Sequence, residues 1–109
     1  MKWQDLKPDH VVQISRVAAV FEVWVEQDIP IAAFKVKVLE RQTGDFLAVP
    51  NIAVRNAGTR QPEWTSGLGA SIEEALVDAL KYFFMEIGQN MPARPLAEED
   101  FMWADSGEF

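Results

Sequence analysis

From about Val17 to Glu26 the chain alternates, with Phe21, Val23 and Val25 on one side and Glu22, Trp24 and Glu26 on the other. A period of two is that of a half-buried strand. The run from Ile31 to Glu40 repeats the pattern, setting Phe34, Val36 and Val38 against Lys35 and Lys37. Between them Gln27-Asp28-Ile29-Pro30 reads as a turn. Folding the two runs on that loop places Glu22 opposite Lys35 and Val23 opposite Phe34, so apolar meets apolar and acid meets base. Thr43-Gly44-Asp45 predicts a second turn, with Gly44 able to take positive φ. Phe46 to Val49 then forms a third strand, which Pro50 disturbs. Ile52-Ala53-Val54 resumes it after a bulge, as suits an edge strand. Asn56 to Pro62 is loop chemistry, and Glu63 to Ser66 is a brief fourth strand.

The pattern changes after Gly69. Ile72, Ala75, Leu76, Ala79, Leu80, Phe83, Phe84 and Ile87 recur at three- and four-residue steps, the apolar stripe of a helix over 72–87. Ser71 and Glu74 form a capping box, in which the serine oxygen accepts from the Glu74 N–H and the Glu74 carboxylate reaches back to the N–H of Ser71. Glu73 and Glu74 also complement the positive start of the helix, and Gly88 is placed to end it. Upstream, Asp9 to Arg16 is ambiguous. Asp9 suits the cap of a short helix bearing Val11, Ile14 and Ala18, yet the β-branched residues there suit a strand equally. The expectation is a short helix leading into the first strand. From Gln89 onward Pro92 and Pro95 prevent regular continuation. The chain therefore divides into one domain, residues 1–90, and an acidic aromatic tail, residues 91–109, in which Phe101, Met102, Trp103 and Phe109 sit among carboxylates.

Composition narrows the classes. At 109 residues, with 49% hydrophobic residues, the chain suits one modest core and not a disordered polymer. Seventeen acidic residues against ten basic leave a net charge of −7, which repels a phosphate backbone on average. There is no cysteine, which removes thiolate chemistry, disulfides and cysteine-based zinc sites and fits a reducing cytoplasm. No apolar run approaches the ~20 residues of a membrane span, and the first residues lack the apolar stretch of a signal peptide.

Candidate chemistry is sparse. His10 is the single histidine, and no serine lies in a nucleophile elbow. Glu73 and Glu74 diverge by about 100° on a helix and cannot work as a carboxylate pair. Glu98-Glu99-Asp100 lacks the ligand alternation and glycine of a calcium loop and reads as a solvated acidic run. Gly67-Leu68-Gly69 before a helix is a phosphate-cradle pattern without its lysine, and with two glutamates where a phosphate would sit. Its glycines instead allow close packing against the sheet. No catalytic residue, cofactor or metal ligand is therefore assigned. What remains are two interaction surfaces. One is the sheet face carrying Trp24, Lys35 and Lys37, where Glu22 and Glu26 partly cancel the bases. The other is Phe101, Met102 and Trp103, which serve as docking anchors if free or cover the domain's own sheet if they fold back.

The order of elements resembles the double-stranded-RNA-binding domain, a short helix, a three-stranded meander and a long helix. That family binds RNA partly through lysines at the start of its last helix, where this chain has Ser71-Ile72-Glu73-Glu74. Residues 33–88 also resemble the small domain of HicB-like antitoxins, in Ala48-Val49-Pro50 and in Gly69-Ala70-Ser71-Ile72-Glu73-Glu74-Ala75-Leu76. The resemblance implies a toxin-neutralising regulator, although the DNA-binding segment usual in that family is replaced by the acidic tail.

The expectation is an α+β domain, an antiparallel sheet of three or four strands with one long helix across a face. Its expected role is that of a non-enzymatic protein-interaction module with a protein partner, a second copy of itself included. The alternatives are an antitoxin-type regulator and a nucleic-acid binder on the Lys35/Lys37 face. Leu80→Asp places a charge on the apolar stripe and should abolish the cooperative thermal transition seen by circular dichroism; an unchanged melt contradicts the helix face assigned here.

Overall fold

The computed structural model describes residues 2–107 and 109 of the chain. Its strands are β1 (Ser15–Trp24), β2 (Ala33–Arg41), β3 (Phe46–Pro50), β4 (Ile52–Arg55), β5 (Pro62–Glu63), β6 (Gly67–Gly69) and β7 (Phe101–Trp103). One helix, α1 (Ile72–Gln89), precedes β7, and single 3-10 turns occupy Trp3–Asp5 and Glu98–Asp100. The strands form two antiparallel sheets, one of four in the order β1-β2-β3-β6 and one of three in the order β5-β4-β7. The fold is α+β. Among the described residues, no helix is long and apolar enough to cross a membrane.

The alternating hairpin has the register its side chains require, with Glu22 opposite Lys35 and Val23 opposite Phe34. A bulge between Val17 and Ala19 interrupts the lower part of β1. Gly44 turns the chain at a φ of +91° into β3. At Asn51 the strand leaves the first sheet for the second. The Asn51 N–H donates to the Lys35 carbonyl at 2.9 Å, and its side-chain oxygen accepts from the Lys35 N–H at 2.9 Å. Its own carbonyl accepts from the Ala104 N–H at 2.7 Å. The resumed strand β4 is consequently central in its sheet, with β5 on one side and β7 on the other, and not an edge as the proline suggested.

Helix α1 lies on one face of the larger sheet and buries Ala75, Ala79, Phe83 and Ile87, a stripe at four-residue steps. These meet Phe34, Val36, Val38 and Ala48 from the sheet, and Ile52, Val54 and Phe101 extend the same core. The Phe34 and Phe83 rings meet with centroids 4.8 Å apart, tilted by 54°. The fourth strand of this sheet is Gly67–Gly69, where the sequence suggested a turn and placed the strand at 63–66. Glycine is needed there for space. A methyl group at Gly67 would overlap the Ala79 nitrogen and Ala75 oxygen, and one at Gly69 would fall 2.5 Å from the Ala75 nitrogen.

Three local expectations are corrected. Residues 9–16 form no helix: His10 turns at a φ of +71°, and the arm is instead pinned through Gln42, which accepts from the Ile14 N–H and donates to the Leu6 carbonyl. The opening helix of the double-stranded-RNA-binding topology is thus missing from this segment. At the start of α1, the Ser71 hydroxyl accepts from the Glu74 N–H at 3.1 Å, but the Glu74 carboxylate reaches the N–H of Ala70, not of Ser71. At its end, Gly88 remains helical, and Asn90 stops the helix by donating from its side chain to the Glu86 carbonyl at 2.8 Å.

Two glycine substitutions should therefore move stability in opposite directions. Gly67→Ala forces helix and sheet apart and should cost at least about 1–3 kcal/mol in denaturant unfolding. Gly88→Ala, which meets nothing within 4 Å, should gain about 0.5–1 kcal/mol. A neutral Gly67→Ala contradicts the close approach.

Candidate interaction surface

With α1 covering one face of the larger sheet, the opposite face carries the odd positions of β2 and the even positions of β1. Trp24 pairs with Ala33, Glu22 with Lys35 and Val20 with Lys37. Trp24 is 72% exposed, Val17 55% and Val20 54%. Leu39 and Leu47 pair across β2 and β3, and Leu47 pairs with Leu68, continuing an apolar band across the sheet. The bases do not form a free cationic patch. Lys35 faces Glu22, and the Lys37 ammonium donates to the main-chain oxygen of Phe109 at 2.6 Å and lies 4.8 Å from its ring centroid.

The tail returns to the domain at Phe101–Trp103 and at Phe109. Phe101 is 4% exposed and belongs to the core, so it is not available as an anchor for a partner. Met102 and Trp103 keep part of their surface in solvent. Trp103, opposite Ile52 in the β4–β7 ladder, borders a shallow pocket with Glu22, Ala33, Lys35 and Asn51. The two surfaces that the sequence offered as alternatives, around Trp24 and around Trp103, are thus neighbours on one face.

A buried carboxylate holds this return path. Asp100, 2% exposed, receives both Arg94 guanidinium nitrogens at 2.8 Å, Arg60 at 3.0 Å and the Ala97 N–H at 2.9 Å. Arg60 also donates to the Glu99 carbonyl at 3.2 Å. Arg60 itself sits at a φ of +63°, at the end of a loop in which the Asn56 side chain accepts from the N–H groups of Gly58 and Thr59. The acidic run at 98–100 is therefore not wholly solvated: its last member anchors β7. Sequence spacing gives no signal of this, because Arg60 lies forty positions away. The Arg94 guanidinium holds the Asp100 carboxyl well below the usual carboxylate range, against the opposing effect of burial. Arg41, helped by Thr43, lowers Asp45 in the β2–β3 turn likewise.

Among the described residues, no group of three or more His, Cys, Asp or Glu side chains is placed to hold a metal ion. His10 lies in an exposed turn. Comparison with protein-family models, with curated proteins and with solved structures finds no match to this chain.

A carboxyl whose folded pKa lies below its unfolded value of about 3.9 stabilises the fold fully above that value. The contribution is lost as pH falls below it. Stability should therefore decline from about pH 4 downward, and Asp100→Asn should flatten that decline, with Asp45 supplying what remains. At pH 7 the same variant removes the negative charge and one of the two acceptor oxygens that Arg60 and Arg94 share, and should cost about 1–3 kcal/mol in urea unfolding. An Asp100→Asn protein as stable as wild type contradicts the clamp.

Proposed function

We propose that this chain is a non-enzymatic protein-interaction module whose working surface is the outer face of the four-stranded sheet together with the β1 edge. The observation that carries the reading is the exposure of Val17, Val20 and Trp24 on one face of a strand that forms the border of the sheet. Single apolar side chains are ordinary on a protein surface, but a tryptophan 72% exposed on the outer face of an edge strand supports a contact site. Phosphate binding gains no support on this face, because Glu22 and Phe109 occupy the surroundings of Lys35 and Lys37. The antitoxin-type reading has in its favour only the resemblance of residues 33–88 to that family.

A photo-crosslinking amino acid at position 24 should capture protein in the cells that make this chain, its own copies included. The same group at position 59, on the exposed loop of the smaller sheet, should capture several times less. Equal capture at the two positions, or none at position 24, contradicts the proposal.

A further inference from the structure

We infer that the occupant of the β1 edge is a second copy of this chain, paired strand to strand about a two-fold axis at Phe21. The inference rests on the interaction reading above and names its partner. Among the described residues, β2 pairs with one side of β1 and no strand pairs with the other. Which main-chain groups are free follows from the ladder. The main-chain groups of Lys35 face Asn51, toward β3. Its antiparallel partner Glu22 is then a non-hydrogen-bonded position toward β2, with its own N–H and C=O directed outward. The same holds two positions away, at Val20 and Trp24. Phe21 and Val23 bond inward to β2. A strand presenting N–H and C=O groups at every second residue is a template for another strand, and natural edges are usually blunted by proline, lysine or a bulge.

Here only the lower end is blunted, by the bulge between Val17 and Ala19. The flat part is Ala19–Trp24, whose centre lies between Phe21 and Glu22. An axis at Glu22 sets two carboxylates directly opposite each other, which is destabilising. An axis at Phe21 does not. It pairs Val20 with Glu22 of the other copy and Trp24 with Ala18 of the other copy, reciprocally. It brings each exposed Trp24 over the other copy's Val17–Ala18. One operation thus satisfies the outward main-chain groups and sets Trp24 against Val17 and Ala18 of the other copy. The result joins two four-stranded sheets edge to edge. A ladder this short makes an interface in the weak class, below about 1,200 Å², with Kd on the order of 100 µM.

The chain has no cysteine, so single cysteines report the register directly. Facing residues of a non-hydrogen-bonded antiparallel pair have Cα atoms about 4.5 Å apart, within disulfide range. Phe21→Cys should cross-link to itself under mild oxidation. Val23→Cys, whose two copies lie about 14 Å apart at ~3.4 Å per residue, should cross-link at least about tenfold more slowly. Should Phe21→Cys fail to fold, Val20→Pro serves instead. It deletes an outward N–H that the monomer does not use, and sedimentation equilibrium should then show a monomer with an unchanged thermal melt. A wild-type protein that stays monomeric to about 1 mM, tenfold above the expected Kd, overturns the inference. Capture of a different protein at position 24 would then leave the interaction reading standing. A dimer that survives Val20→Pro with its affinity intact, or one in which Val23→Cys links as fast as Phe21→Cys, also overturns it.

Discussion

The molecule is organised by a contact between main chains, where Gly67 and Gly69 lie against Ala75 and Ala79 with no room for a single extra carbon. That approach makes a three-residue glycine strand the fourth member of the sheet and seats α1 flat on its neighbours. The seat sets which side of the sheet is dry. Phe34, Val36, Val38 and Ala48 are buried because the helix is close, and Phe83 reaches Phe34 because small residues on α1 bring it down. Burial of this kind supplies most of the favourable free energy of a small domain.

Once the dry face is fixed, the alternation of β1 and β2 decides everything on the wet one. Trp24, Val20 and Glu22 have no choice but to face outward, and their main-chain groups face the border of the sheet. The second sheet is built on from the first. Asn51 hands β3 over to β4, and β7 returns to cover β4 under the Asp100 clamp. A charge at Asp100 is tolerable in the interior because two arginines and a main-chain N–H satisfy its oxygens. Strand β4 is thereby flanked on both sides, whereas β1 is paired on one side alone among the described residues.

Much of this was legible in the residue pattern. The hairpin register followed from alternation plus a four-residue turn, since slipping by one would turn Phe34 into water. The helix was legible from its stripe and cap, and Trp24, Lys35 and Lys37 were placed on a common face by period alone. Other elements carried no local signal. A strand made of Gly-Leu-Gly has no β propensity and exists only because a helix needs to pass close by. Residues 9–16 are β-branched enough for either structure, and a positive φ at His10 with Gln42 as anchor settled them as an extended arm. Gly88 looked like a stop, yet Asn90 had the side chain to cap the helix. Asp100 looked solvated because nothing in the string 98–100 shows that Arg60 and Arg94 converge on it. Long-range ion pairs and backbone-to-backbone contacts are properties of the folded chain, not of any window of it.

Amide hydrogen exchange along β1, followed as protein concentration is raised, tests the central claim most directly. The N–H groups of Phe21 and Val23, bonded to β2, should be protected at every concentration. Those of Val20, Glu22 and Trp24 should exchange rapidly in dilute solution and slow together as the outer border fills. If Val20, Glu22 and Trp24 are as protected as Phe21 and Val23 in dilute solution, or stay unprotected up to the highest concentration, the free edge is not the binding surface and the account is contradicted.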